Sequence, residues 1–132
     1  MYKFYKCASS VRMKYLYPNQ GNNINRQITM AILHSVYFYL KEDVPSDLAD
    51  KMKSDILTDL AAINTVRSMH AGGPLGVDRD VVDNDYAMSI QAFFEDRDGL
   101  NSYQQDPIHL SFVGKYKQYW DHIKVFDTHT NV

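Results

Sequence analysis

Two side chains near the C-terminal end of the chain have the types and spacing that suit proton transfer. Tyr103 and His109 lie on either side of Pro107. An imidazole titrates near neutral pH and can take a proton from an activated carbon or oxygen, while a tyrosine hydroxyl can hold a carbonyl oxygen as charge develops on it. We interpret His109 as a candidate base and Tyr103 as its oxyanion partner. The alternative is structural, with His109 satisfying backbone groups at a helix start and Tyr103 packing under a sheet.

Three further residues are candidates for contact with a substrate. His34 shares one face of a predicted strand with the apolar residues Ile32 and Val36, because side chains alternate along a strand. It is either a core histidine with its own hydrogen bonds or a group that orients a substrate oxygen. Met88 on a later predicted strand and Phe112, one helical turn after His109, could line the same cavity or pack only in the core.

The other chemistry-bearing segments do not match known site patterns. The remaining histidines show no spacing typical of metal ligands, and the glycines at 72–76 are not followed by the Lys-Ser/Thr of a phosphate-binding loop. The aspartate-rich segment 78–85 lacks the glycine and glutamate placement of a calcium loop, so we expect a solvated loop there. The sequence therefore predicts neither a cofactor nor a metal.

Hydrophobic periodicity indicates the elements that would position these residues. The predicted elements are a strand at 32–40, a helix capped by Ser46 and running to about Ile63, strands at 66–73 and 86–94, a short helix from about Asp96, a helical segment at 108–119, a strand at 122–126 anchored by Trp120, and a polar tail at 128–132. Asp106-Pro107 should separate the last two helical segments, because a residue before proline avoids the helical region. This order predicts an α+β, ferredoxin-like βαββαβ fold with a four-stranded antiparallel sheet.

The first predicted strand is apolar on both faces. One face carries His34 among aliphatic and aromatic residues, and the other carries Leu33, Tyr37 and Tyr39. Helices can cover only one of these faces, and a large exposed apolar face marks an interface. We therefore predict a homodimer in which two sheets meet face to face, as in a dimeric α+β barrel.

Composition and charge limit the classes of partner. The chain has 132 residues and a net charge of -2, which suits one domain. Residues 1–29 hold five basic and no acidic side chains, which leaves 9 basic and 16 acidic residues in 30–132. The acidic balance of that part argues against nucleic acid as a partner. The single cysteine, Cys7, favours a cytoplasmic location, and no apolar run is long enough for a membrane span.

The first 29 residues differ in pattern from the rest. They end in a polar linker, and a coherent domain pattern begins at Met30. The segment is therefore an N-terminal extension. It is either sequence upstream of a physiological start at Met30 or a basic, aromatic arm that contacts an anionic surface or a partner subunit. Residues 30–132 form the predicted domain.

Three segments together resemble a known family. They are ILHSVYFYL at 32–40, DNDYAMSIQAFFE at 83–95, and YQQDPIHLSFV with YWDHIKVFD at 103–127. Residues 30–127 resemble the stress-responsive A/B barrel, or Dabb, domain. The resemblance implies a dimeric α+β barrel, and most members of the family have no assigned reaction.

One plant branch of that family, olivetolic acid cyclase, closes a polyketide by aldol chemistry without a cofactor. The resemblance to it implies that His109 is the base, with Tyr103 and His34 at matching positions. The chain departs from that branch at Met88 and Asp106, where the branch has histidines.

Three functions follow as hypotheses. The first is a homodimeric Dabb protein of unassigned activity that binds a small molecule between its sheet and helices. The second is a cofactor-independent cyclase or lyase for a small carbonyl or polyketide-like compound, with His109 as general base. The third is a monooxygenase of the same barrel type, which no residue specifically favours. A shared enclosed cavity of at least about 300 Å³ at His109 and Tyr103 would favour the second.

Overall fold

The computed structural model describes residues 30–131, so the predictions made for residues 1–29 lie outside it. Within these residues, four strands and three α-helices follow one another. They are β1 (Met30–Leu40), α1 (Leu48–Thr58), β2 (Val66–Gly72), β3 (Met88–Phe94), α2 (Arg97–Gln105), α3 (Pro107–Tyr116) and β4 (Trp120–Asn131). Short 3₁₀ turns, Leu60–Ala62 and Lys117–Tyr119, precede β2 and β4.

The strands form one antiparallel sheet in the order β2-β3-β1-β4. The predicted α+β, ferredoxin-like topology is therefore confirmed. β1 is a central strand, and its residues 32–38 have partners on both β3 and β4. This position brings the side chain of His34 between two strands and beneath the helices.

The helices cover one face of the sheet, and the main core lies between the helices and that face. Its members alternate along β1 and β3 and recur at helical spacing along the helices. The buried side chains that form it are Ile32, Val36, Phe38, Leu48, Met52, Ile56, Leu60, Ile63, Met88, Ile90, Ala92, Phe94, Leu100, Tyr103, Phe112 and Tyr116. Both Tyr103 and Phe112 therefore belong to the core as well as to the candidate site.

The first helix is shorter than predicted. It begins at Leu48 rather than after Ser46, and Asp47 occupies the cap position without a side-chain hydrogen bond. It ends at Thr58, and the 3₁₀ turn Leu60–Ala62 replaces the predicted last turn. The prediction extended the helix too far, because Leu60 is buried at helical spacing although it lies in the 3₁₀ turn. The chain must turn there to enter β2, and Val66 N donates to Ile63 O at 3.0 Å.

The last strand is longer than predicted. It runs through the expected polar tail, where His129 pairs with Ile32 and Asn131 pairs with Met30. Strand pairing uses backbone groups, so an edge strand can continue through polar side chains. The prediction of a strand at 122–126 was wrong for this reason. The third strand, in contrast, begins at Met88 instead of at residue 86.

The loop at 73–87 covers part of the sheet face that the helices leave open, which we call the outer face. Asp83 accepts a hydrogen bond of 2.7 Å from the hydroxyl of Tyr39, and Lys124 lies 3.4 Å from the same carboxylate. The hydrogen bond from Tyr39 lowers the pKa of Asp83. Tyr86 packs its ring 5.0 Å from that of Tyr37. Much of the loop is exposed, as predicted, but Asp83 and Tyr86 contact the sheet.

None of the helices in residues 30–131 has both the length and the apolar character that a membrane span requires.

Candidate acid–base site

A cavity of about 190 Å³ lies between the helix-covered face of the sheet and helix α3. Strands β1 and β4 form its floor, and the end of α2 closes one side. The lining residues are His34, Val36, Phe38, Leu60, Ile90, Tyr103, Gln104, His109, Phe112, Val113, Trp120, Ile123 and Val125. We call this space the inner cavity. It brings the three predicted residues His34, Tyr103 and His109 together.

His109 lies in the first turn of α3, where the Asp106 cap and Pro107 fix the start of the helix. Its Nδ1 lies 3.1 Å from the carbonyl oxygen of Gln104. A carbonyl can only accept, so Nδ1 carries the proton, and Nε2 keeps a free lone pair in the neutral ring. Burial lowers the pKa of His109, and the hydrogen bond to Gln104 offsets part of that shift. The neutral, basic form of His109 is therefore favoured.

Tyr103 is almost completely buried beside this histidine. Its ring lies 4.7 Å from the ring of His109 and 6.1 Å from that of His34, measured between centroids. Burial raises the pKa of Tyr103 above its ordinary value of 10.0. The hydroxyl therefore stays protonated at neutral pH and can donate a hydrogen bond into the cavity.

His34 is held by Asp127 on the neighbouring strand. Its Nδ1 lies 2.5 Å from the Asp127 carboxylate, and the two residues face each other in the register of β1 and β4. The His34 side chain is 5% exposed and that of Asp127 is 44% exposed. The carboxylate accepts from Nδ1, which fixes the ring and leaves Nε2 as the atom available to a ligand.

Asp127 was not predicted as a site residue, because the predicted last strand ended at residue 126. The signal was present, since Asp127 continues the alternation of Ile123 and Val125 on the same face of β4. A longer strand would have placed it opposite His34. Because the residues after Asp127 are mostly polar, the hydrophobic pattern did not indicate that the strand continues.

The structure separates the remaining candidates. Phe112 lines the inner cavity, as expected, and also packs on Phe38 at 6.2 Å between ring centroids. Met88 is buried in the core and is not among the residues that line this cavity, which is the second of the two alternatives open from the sequence. In the sheet register it pairs with Phe38, which does line the cavity.

Trp120 lines the inner cavity, whereas the sequence predicted only that it anchors the last strand. Its ring packs 4.9 Å from that of Phe38, so it does anchor the start of β4. Its Nε1 is buried and has no hydrogen-bond partner among residues 30–131. A buried donor without a partner is costly, so this group is suited to a polar atom of a bound ligand.

The inner cavity is small. Its volume is below about 300 Å³, so the cavity size that would have favoured the cyclase or lyase hypothesis is not reached. It equals the liquid volume of about six water molecules, which suits a ligand of few heavy atoms. The apolar lining can hold a small carbonyl compound. The side chains of His34, Tyr103 and His109 can bind its oxygen atoms and transfer a proton. In residues 30–131 no three His, Cys, Asp or Glu side chains are grouped for a metal ion.

Comparisons with known proteins agree on the family and the fold. A family model described as the stress-responsive A/B barrel domain, Dabb, matches residues 32–130. A comparison with curated proteins gives no match.

Solved structures similar to this chain include three from different organisms. A dimeric ferredoxin-like protein of unknown function from Thermobifida fusca is 19% identical, with 85% of this chain and 100% of that chain covered and a TM-score of 0.66. A Dabb family protein from Mesorhizobium loti is 23% identical, with 75% and 95% covered and a TM-score of 0.60. A hydroxynitrile lyase from Passiflora edulis is 16% identical, with 76% and 94% covered and a TM-score of 0.65. At these identities the similarity shows the fold alone.

Proposed function

This chain belongs to the stress-responsive A/B barrel (Dabb) family, and from that premise we propose that it is a cofactor-independent acid–base enzyme for a small carbonyl compound. The family resemblance noted in the sequence is thereby confirmed. The proposed reaction class is that of a lyase or cyclase, in which a carbon–carbon bond is broken or formed next to a carbonyl group. The inner cavity is the proposed site, with His109 as the general base.

The observation that carries this proposal is the convergence of His109, Tyr103 and His34 on one buried space. Nε2 of His109 takes a proton from the carbon next to the carbonyl, or from a hydroxyl group in the cleavage direction. The Tyr103 hydroxyl donates to the carbonyl oxygen as negative charge develops there. Nε2 of His34 orients a substrate oxygen, while Asp127 holds the ring from the other side.

One structural neighbour supports this class of reaction. The protein from Passiflora edulis is described as a hydroxynitrile lyase, so the same fold carries a lyase activity in that case. The identity of 16% does not transfer the activity to this chain. The side chains in the inner cavity of this protein are therefore the main support for a proton-transfer site.

A second candidate function is binding of a small ligand without turnover. Two observations favour it: the inner cavity has a volume of only about 190 Å³, and His109 already satisfies the Gln104 carbonyl. Both are compatible with a histidine that shapes a pocket. The two functions differ in whether the protons of a bound ligand exchange with solvent.

We also propose that the protein is a homodimer formed through the outer face. Structural neighbours are described as dimeric. On the outer face, Phe126 is 57% exposed and lies 6.2 Å from Tyr37 between ring centroids. A second copy that covers this aromatic surface would remove it from water. The cytoplasmic location and the absence of nucleic acid partners stay predictions from the sequence.

Deuterium exchange tests the catalytic proposal without knowledge of the natural substrate. Small methyl ketones are incubated with the protein in D₂O, and loss of the protons next to the carbonyl is followed by NMR. The wild-type protein should accelerate exchange, and His109→Gln should reduce the acceleration by about 10²-fold or more. His70→Gln is the matched control, because His70 is exposed on β2 outside the inner cavity.

The outcomes separate the two functions. Exchange in wild type and His70→Gln but not in His109→Gln supports the base assignment. Equal exchange in wild type and His109→Gln contradicts it. Ketone binding with no exchange in any of the three proteins rejects the enzyme and supports the binding function. Binding is read independently from the fluorescence of Trp120, the single tryptophan of the chain, which lines the inner cavity.

A further inference from the structure

A second, more polar pocket lies beside the inner cavity. It has a volume of about 420 Å³ and is formed between helix α2 and the second half of β4. Its lining residues are Ile32, Arg97, Leu100, Asn101, Gln104, Asp127, Thr128 and His129. Most of these side chains are exposed, so the pocket is accessible to solvent. We call it the outer pocket.

The outer pocket and the inner cavity share a wall. Gln104 lines both spaces. The hydrogen-bonded pair of His34 and Asp127 also lies between them, with His34 in the inner cavity and Asp127 in the outer pocket. A ligand that extends from one space into the other would therefore pass Gln104 and this pair. The carbonyl end would lie at His109 and the other end outside.

The polar groups of the outer pocket suit an anion of single charge. Arg97 is the one Lys or Arg in its lining, and no acidic side chain in residues 30–131 lies within ion-pairing distance of it. A guanidinium can bind both oxygens of a carboxylate with parallel hydrogen bonds. The side-chain amide of Asn101 provides additional donors next to it.

The carboxylate of Asp127 limits the charge that the pocket can accept. This residue is half-exposed and belongs to the same lining, so its negative charge opposes that of a bound anion. A doubly charged phosphate group would be opposed more strongly and would meet only one guanidinium. A monoanionic carboxylate meets the weaker repulsion and matches the geometry of Arg97.

We propose that the outer pocket binds the carboxylate of the substrate, so that the substrate is an oxo acid or hydroxy acid whose carbonyl or hydroxyl end enters the inner cavity. This inference rests on the proposed function and specifies its substrate class. Arg97 binds the carboxylate, Asn101 and Gln104 donate hydrogen bonds along the path, and the apolar side chains of Ile32 and Leu100 contact the intervening carbon chain. Arg97 is a binding and specificity residue and takes no part in the proton transfer.

Matched pairs of ligands test this inference. The probes are 4-oxopentanoate, 5-oxohexanoate and 6-oxoheptanoate, each compared with the neutral methyl ketone of the same chain length. Binding is measured by the fluorescence of Trp120, and proton exchange by NMR. At least one oxo acid should bind about tenfold more tightly than its neutral partner, the advantage typical of one charge-assisted hydrogen-bonded pair.

Arg97→Gln should reduce that ratio to about one and leave the affinity for the neutral ketone unchanged. Arg97→Lys should retain part of the preference, because it keeps the charge but loses the bidentate geometry. Arg67→Gln is the matched control, since it removes one exposed positive charge on β2, away from both spaces. It should keep the full preference. Inorganic phosphate should not displace the oxo acid.

Four results would overturn the inference. These are a ratio near one in the wild-type protein, a ratio unchanged by Arg97→Gln, an equal loss in Arg67→Gln, and displacement by phosphate at similar concentration. If neutral ketones still bind and exchange protons through His109, the carboxylate subsite is rejected while the proposed function stands. If neither oxo acids nor ketones bind at millimolar concentration, both are rejected.

Discussion

Burial keeps both His109 and Tyr103 uncharged near neutral pH, although it moves their pKa values in opposite directions. It lowers the pKa of His109, which favours the neutral base, and raises that of Tyr103, which favours the protonated donor. The lowered pKa of His109 makes the stability of the fold depend on pH. The unfolded state binds more protons below about pH 6.5, so the stability of the fold decreases as the pH falls from that value through the lowered pKa.

Removing the Tyr103 hydroxyl tests its proposed role at the scale of the residue. Tyr103→Phe keeps the buried ring and loses the donor, so ketone exchange should decrease by about 10²-fold while ketone affinity changes little. The exchange rate and the Trp120 fluorescence titration measure the two effects. Tyr86→Phe, on the outer face, is the control and should exchange at the wild-type rate. An unchanged rate in Tyr103→Phe would reject the oxyanion role.

Residue types and their faces were sufficient to predict His34, Tyr103 and His109. Each lies on an apolar face, and Pro107 fixes the break between Tyr103 and His109. Asp127 could not be assigned, because a polar edge strand has no hydrophobic pattern to mark where it ends. Trp120 Nε1 has no hydrogen-bond partner within the described part of the chain, and this depends on packing that no sequence spacing specifies.

At the scale of the element, the junction of α2 and α3 determines where His109 lies. Asp106 ends α2 with an extended backbone, and its side chain accepts a hydrogen bond of 2.8 Å from Ile108 N at the start of α3. Pro107 occupies the first turn, where its missing N–H has no cost. The Asp-Pro pair therefore made this junction predictable from the sequence. The end of α1 was not, because a 3₁₀ turn and an α-helix bury similar positions.

Replacing the cap tests whether this junction positions the base. Asp106→Ala should lower the free energy of unfolding by about 1 kcal/mol and also slow ketone exchange, whereas Asp106→Asn should retain most of both. Asp96→Ala is the matched control, because Asp96 caps α2 through Gly99 N at 2.8 Å and does not line the inner cavity. It should lose similar stability with normal exchange. Denaturant unfolding and exchange in fully folded samples measure the two quantities, and equal exchange in Asp106→Ala and wild type would contradict the positioning role.

At the scale of the whole molecule, the proposed homodimer depends on the outer face. The sequence predicted an apolar second face from β1 alone, and the helices indeed leave that face open. The loop at 73–87 covers part of it through Asp83 and Tyr86, which the sequence did not reveal because the contact joins distant segments. The polar groups Ser35 and Gln91 pair with each other at 2.6 Å on the same face. The remaining aromatic surface is centred on Tyr37 and Phe126.

A charge placed on that surface tests the proposed homodimer. Phe126→Asp would leave a carboxylate in a desolvated interface, so it should convert the dimer into a monomer in sedimentation experiments at micromolar concentration. Leu110→Asp is the control, because Leu110 is equally exposed at 57% but lies on the helix layer. That variant should stay dimeric. A wild-type protein that sediments as a monomer, or equal dissociation of both variants, would reject the outer face as the interface.

The protonation state of His109 tests the central claim most directly and requires no substrate. NMR spectra of the ¹⁵N-labelled imidazoles, with His109 assigned by its absence in His109→Gln, give its pKa and its tautomer. The structure predicts a pKa below 6.5 and a neutral ring with the proton on Nδ1, since burial and the Gln104 carbonyl favour that form. A pKa at or above 6.5, or a proton on Nε2 in the neutral ring, would show that the inner cavity does not contain the proposed base.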